Sequence, residues 1–190
     1  MKLVKAFLLG AALVSMTACA GGKGTAISEQ QFKEEAAKVQ EKTYSKAVVS
    51  YSSMSKDSAD KEQNFTRSGK LNFTFKNGSF ELDANQTVPD DLDLEGYVGG
   101  KVSTFINSVP SSYTAKYYKA PLGIYFEYKT GGSESGVSYT SSAYGYLQFN
   151  EYGFLVKGEV GEKSKTSVNV SGVKSSHSSE SKSTLTISYQ

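Results

Sequence analysis

From Phe65 onward the chain alternates apolar and polar residues with a period of two, and ahead of that lies one short stretch with a period near 3.6. Phe65, Leu71, Phe73 and Phe75 occupy odd positions up to Asn77-Gly78, after which Phe80, Leu82 and Ala84 occupy even ones. Alternating runs on either side of Asn-Gly predict two strands joined by a tight hairpin. Leu122, Ile124, Phe126 and Tyr128 alternate likewise, as do Val168 with Val170 and Leu185, Ile187 with Tyr189. Asn150-Glu151-Tyr152-Gly153 reads as another hairpin turn, and Ser175 to Ser181 as the tip of a last one. About eight strands with short connections predict an antiparallel meander, so the fold class is α+β, mostly antiparallel β.

The helical stretch begins at Ser28. Ser28 with Gln31 makes a capping box, Ile27 with Phe32 has the spacing of a hydrophobic staple, and Phe32, Ala36 and Val39 recur at i, i+4, i+7. These signals predict an N-terminal helix from about 29 to 43 with one narrow apolar face, which needs an apolar surface to lie on. A second, shorter helical insertion is expected between the third and fourth strands. There Leu94, Val98, Val102, Phe105 and Ile106 keep helical spacing until Pro110, while Gly96, Gly99 and Gly100 each weaken the helix by roughly 1 kcal/mol.

The first residues follow a different logic. Lys2 and Lys5 precede the apolar run Ala6 to Val14, which is too short to span a bilayer and reads as an export signal. Met16-Thr17-Ala18-Cys19 resembles the lipobox of bacterial lipoproteins, in which the cysteine thiol takes a diacylglyceryl group and the bond before it is cut. The resemblance implies a signal peptide over 1–18, a lipidated Cys19 at the head of a flexible tether over 19–27, and a single domain over 28–190. It also implies a chain held on the outer face of the cytoplasmic membrane. Cys19 is the single cysteine, and an unpaired exported thiol is a liability that acylation removes. At about 0.8 kcal/mol per buried methylene, two or three acyl chains hold stably where one does not. An ordinary secretory signal with an incidental Cys19 is the other reading.

Processing changes the charge. The formal +2 of the whole chain vanishes with Lys2 and Lys5, leaving 19 basic and 19 acidic side chains on 172 residues. A neutral domain without a polybasic run carries no linear signal for nucleic acid or for anionic lipid, so neither nucleic-acid binding nor electrostatic lipid binding is expected.

Lipobox, tether, amphipathic helix, three strands, a helical insertion and a further run of strands make an order that resembles the lipoprotein carriers of the LolA and LolB type and the mycobacterial LppX and LprG group. Phe75-Lys-Asn-Gly-Ser-Phe80 and Phe149-Asn-Glu-Tyr-Gly-Phe154 also resemble segments of small lipoproteins of Gram-positive and wall-less bacteria. The carrier resemblance implies a half-barrel of about eight strands around helices, with an apolar ligand held between them. In that arrangement Phe73, Phe75, Leu82, Ile124 and Phe126 line the concave side beneath the helix carrying Phe32 and Val39. Tyr117-Tyr118 and Tyr144-x-Tyr146 are further places to seek such a lining, since tyrosine suits a partly wet groove. The alternative is a surface interaction or adhesin-like module with a filled core.

Chemistry finds little foothold, so no enzyme activity and no cofactor are expected. Ser-x-x-Lys, the nucleophile motif of penicillin-binding proteins, occurs at Ser53-Lys56, Ser58-Lys61, Ser171-Lys174 and Ser179-Lys182, without companion motifs. His177, the one histidine, falls in a serine run read as a solvated tip without a partner. Asp90, Asp91, Asp93 and Glu95 lack the order of a calcium loop and read as helix-capping acids. No metal set is therefore assigned.

Overall fold

The computed structural model describes residues 24–90, 92, 94 and 96–190, so the signal segment, Cys19, Asp91, Asp93 and Glu95 lie outside the described residues. Nine strands form one open antiparallel sheet in the order β1-β5-β6-β7-β8-β9-β2-β3-β4. They are β1 Thr25–Ile27, β2 Lys46–Asp57, β3 Phe65–Lys76, β4 Ser79–Leu82, β5 Thr114–Lys119, β6 Gly123–Glu134, β7 Val137–Phe149, β8 Leu155–Val170 and β9 Val173–Tyr189. The extra strand relative to the sequence reading is β1. Thr25 to Ile27, expected as the end of the tether, pair with Lys119 to Tyr117 on β5.

Tight turns set the registers. Asn77 and Gly78 have φ of 51° and 89°, the two positive angles of a type I′ hairpin, and so bring Phe75 opposite Phe80. Ser135-Gly136 and Ser171-Gly172 repeat this geometry at the ends of β6–β7 and β8–β9. The last hairpin therefore turns at 171–172, and Ser175 to Ser181 lie inside β9 rather than at a tip. Serine has little intrinsic strand preference, but β9 is hydrogen-bonded to β8 on one side and β2 on the other, and that pairing overrides propensity.

Helix α1, Glu29–Ala36, carries the expected capping box: the Gln31 backbone N–H donates to Ser28 Oγ and the Ser28 backbone N–H to Gln31 Oε1. It stops well before 43, because beyond Ala36 only Val39 offers an apolar group to bury in Lys38-Val39-Gln40-Glu41-Lys42. The helical insertion shrinks to α2, Val102–Phe105, preceded by turns in which Gly96 and Gly99 take φ of 75° and 82°.

The inner face of the sheet divides into two halves. Near α1 it carries Val49, Leu71, Phe73, Ile124, Leu147, Phe149, Leu155, Leu185 and Ile187, all buried. Further along, the same face continues as Ser53, Ser55, Ser141, Ser164, Ser179, Ser181 and Ser183, with Glu162 and Tyr139. The long strands thus run out from a packed core into a polar part, ending in an exposed group of Val137, Tyr139, Val170 and Val173 at the two hairpin ends.

Candidate functional site

Where β3 and β4 meet the segment 88–101, the sheet leaves an open groove of about 920 Å³. Its floor is Phe73, its walls include Phe75, Phe80, Val88, Leu92, Leu94, Val98 and Phe154, and Lys42 and Lys101 stand at its edge. Local chemistry fixes each wall. On one side, the Asn77-Gly78 turn sets Phe75 edge-on to Phe80, with ring centres 5.3 Å apart. On the other, the segment is tied to the β7–β8 turn: the Val102 N–H donates to the Gly153 carbonyl (2.7 Å) and the Leu155 N–H to the Gly100 carbonyl (2.9 Å).

Tyr189 joins the two sides. Its ring packs against Tyr44, Phe80 and Phe154 at centroid distances of 5.0, 5.8 and 5.2 Å. Its hydroxyl donates to the Leu155 carbonyl and accepts from the Gly99 N–H. Gly99 is needed there, since a Cβ would stand 2.8 Å from the Phe80 ring. Burial pushes the Tyr189 phenol up to about 12, only partly offset by the Gly99 N–H, so it remains protonated across physiological pH. The lysines lie over rings: Lys101 Nζ is 3.8 Å from the centre of Phe154, and Lys42 Nζ is 5.2 Å from Tyr44 and 4.6 Å from Tyr152.

The residues expected to share one lining do not. Phe73 and Phe75 line the groove, with Phe73 buried and Phe75 45% exposed. Leu82 pairs opposite Phe73 and packs against the core. Phe32 and Ile124 are fully buried, and Phe32 meets the Tyr117 ring at 5.2 Å, so the space beneath α1 is filled by these side chains. Val39 packs against Gly153, where a Cβ would approach it to 3.0 Å. Phe126 lies over Gly145 on the inner face, beside Tyr113. Tyr44, Phe80, Val88, Leu92, Leu94, Val98 and Phe154 are apolar lining residues that sequence reasoning did not assign to a site. The Phe75 to Phe80 register was readable from the hairpin, but the approach of 88–101 was not.

Other expectations change too. Tyr118, Tyr144 and Tyr146 do not line a concave wall: with Tyr125 they stand on the outer face, where Tyr144 covers Gly161, while Tyr117 is in the core. His177 has a partner. Its Nε2 is 2.9 Å from both oxygens of Asp57 across the β2–β9 pair. Asp57 also accepts from the backbone of Ala59 and Asp60. The Asp60 N–H, then His177 and the Ala59 N–H, hold its carboxyl below the usual range. Ser53-Lys56 and Ser179-Lys182 lie within strands, where an offset of three sends the two side chains to opposite faces.

Alternation also sorts charge. On the outer face β2 and β3 contribute two lysines each (Lys46, Lys56; Lys70, Lys76), β5 and β6 one each (Lys116; Lys129), β8 three (Lys157, Lys163, Lys165) and β9 two (Lys174, Lys182). These eleven face only Glu81, Glu127, Glu159 and Glu180 among the strand residues of that face. Residues 28–190 carry 18 basic and 19 acidic side chains, yet one side is basic, and no run of lysines announces it because each is separated from the next by inward-facing residues. Glu159, 7% exposed, sits among them: burial works to raise its carboxyl, but hydrogen bonds from Lys182 (2.9 Å) and Tyr144 (3.0 Å) outweigh it and hold it below the usual range.

Comparison of the chain with protein-family models, with curated proteins and with solved structures finds no match.

Proposed function

We propose that this chain is a membrane-anchored, extracytoplasmic lipoprotein without enzymatic activity that binds a lipid or other apolar ligand. The anchor is a diacylglyceryl group on Cys19, and the half-barrel carriers that the element order resembles supply the analogy for the ligand. Accumulated twist along nine strands supports the half-barrel part of that reading. The ligand site is the groove between the β3–β4 hairpin and segment 88–101, not the space beneath α1.

One observation carries this reading: a groove of about 920 Å³ lined by Phe73, Phe75, Phe80, Leu92, Leu94 and Val98, in a protein whose core is otherwise packed. Apolar concavities of several hundred cubic ångströms with a few polar groups at the edge are where ligands bind. Displacement of a fluorescent fatty acid tests it. Wild type takes up the probe saturably. Val98→Trp, which fills the groove from a partly exposed position, weakens uptake at least about tenfold, corresponding to about 1.4 kcal/mol, with unchanged melting. Equal uptake by both proteins, or none by either, would overturn the groove as the ligand site.

A further inference from the structure

The lysine-bearing outer face holds a second concavity, a trough of about 830 Å³ that crosses β7, β8, β9, β2 and β3 in the polar half of the sheet. Lys56, Lys163 and Lys165 line it, with Glu180, Thr140 and Ser142 between them. Register explains the arrangement: Lys56 stands opposite Glu180, Glu180 opposite Lys163, and Lys163 opposite Ser142. Glu180 lies 3.6 Å from Lys163, while Lys56 and Lys165 have no carboxylate within ion-pair distance among the described residues. Neither the lipid reading nor the packing of the core uses these side chains.

We infer that this trough binds a linear polyol phosphate, a hydroxyl-rich phosphodiester polymer of the cell exterior, with Lys56, Lys163 and Lys165 on the phosphates and the serine and threonine hydroxyls on the polyol. Three lysines stand against two carboxylates in the lining, Asp57 and Glu180, of which Asp57 is already held by His177 and Glu180 by Lys163, so the charge left over selects a polyanion. Shape selects a flexible chain over a bilayer, because neighbouring strands rotate by about 20° each and a face built from many strands cannot lie flat on a plane. Lining selects a polyol over single-stranded nucleic acid. Bases need exposed aromatic platforms, and the one ring in the trough, Phe65, sits under the Arg67 guanidinium; the rest of the lining is serine and threonine hydroxyls, Asn64, the three lysines and the carboxylates of Asp57 and Glu180. The choice of an exterior polymer rests on the export reading; the trough's affinity for phosphates does not.

Binding of defined poly(glycerol phosphate) oligomers to the purified full chain tests this, with oligo(dT), vesicles rich in phosphatidylglycerol and neutral dextran as the other arms. Binding is expected to the glycerol phosphate oligomer above all. Three neutralised phosphates give a log–log salt slope of about −2, a loss of roughly 20-fold between about 50 and 200 mM salt. K56A/K163A/K165A should weaken binding at least about tenfold and flatten that slope, while K56R/K163R/K165R should retain both, with melting unchanged in each. Absence of salt-dependent binding, an unaffected alanine variant, or tighter binding of oligo(dT), vesicles or dextran would overturn the assignment. Lipidation of Cys19 is read separately by mass, so failure of the export reading and failure of the trough are distinguishable.

Discussion

Glu162 shows how far a residue's environment departs from its neighbours in sequence. It lies on the inner face of β8 opposite Ala143 and Ser181, just past the point where the apolar side chains stop, and burial pushes its carboxyl above the usual range. A raised carboxylate destabilises the fold once ionised: the cost is absent below the ordinary carboxylate pKa and grows as pH rises through the raised value. Glu162→Gln should therefore melt a few degrees above wild type near neutral pH, with the difference closing toward pH 4; a pH-independent gap in scanning fluorimetry would contradict this. Phe32 is the opposite case. Its burial was legible in the staple spacing, and with the side chain fully buried against Tyr117, Phe32→Ala should cost about 3–5 kcal/mol in urea unfolding. A loss below about 1 kcal/mol would mean that α1 does not close the core. The burial of Glu162 could not be read, because it depends on strands distant in the sequence.

At the scale of elements, local chemistry was legible where it is self-sufficient. The capping box of α1 and the Asn77-Gly78 hairpin each require only residues within a few positions, and both form as their sequences dictate. The serine run of β9 is different, since its conformation comes from backbone pairing with β8 and β2 and not from its own residues. β9 thus has one end in the core and one in the polar half. Backbone pairing alone stabilises less than pairing plus apolar burial, so amides of 175–179 should exchange roughly 100-fold faster than those of Leu185 to Ile187. Hydrogen exchange followed by NMR checks this; uniform protection along β9 would show that the polar half opens only with the whole sheet.

The molecule as a whole combines features that composition averages away. Nearly balanced charge, 18 basic and 19 acidic side chains over residues 28–190, concealed a basic face, because a period-two pattern sends alternate residues to opposite sides and the compensating acids lie largely outside the outer face. The groove was half legible: Phe73 and Phe75 belong to it, but the opposite wall arrives through long-range ties such as Gly99 to Tyr189, which no local pattern encodes. Anchor and groove together define the central claim, a lipid-tethered protein that holds an apolar ligand. Native mass spectrometry of the full-length gene product, extracted from membranes in mild detergent, addresses both parts in one spectrum. The predicted result is a chain beginning at a diacylglyceryl-modified Cys19 that carries a dissociable lipid, with the dissociable lipid lost in Val98→Trp. A chain with unmodified Cys19 and no adduct in either protein would contradict it.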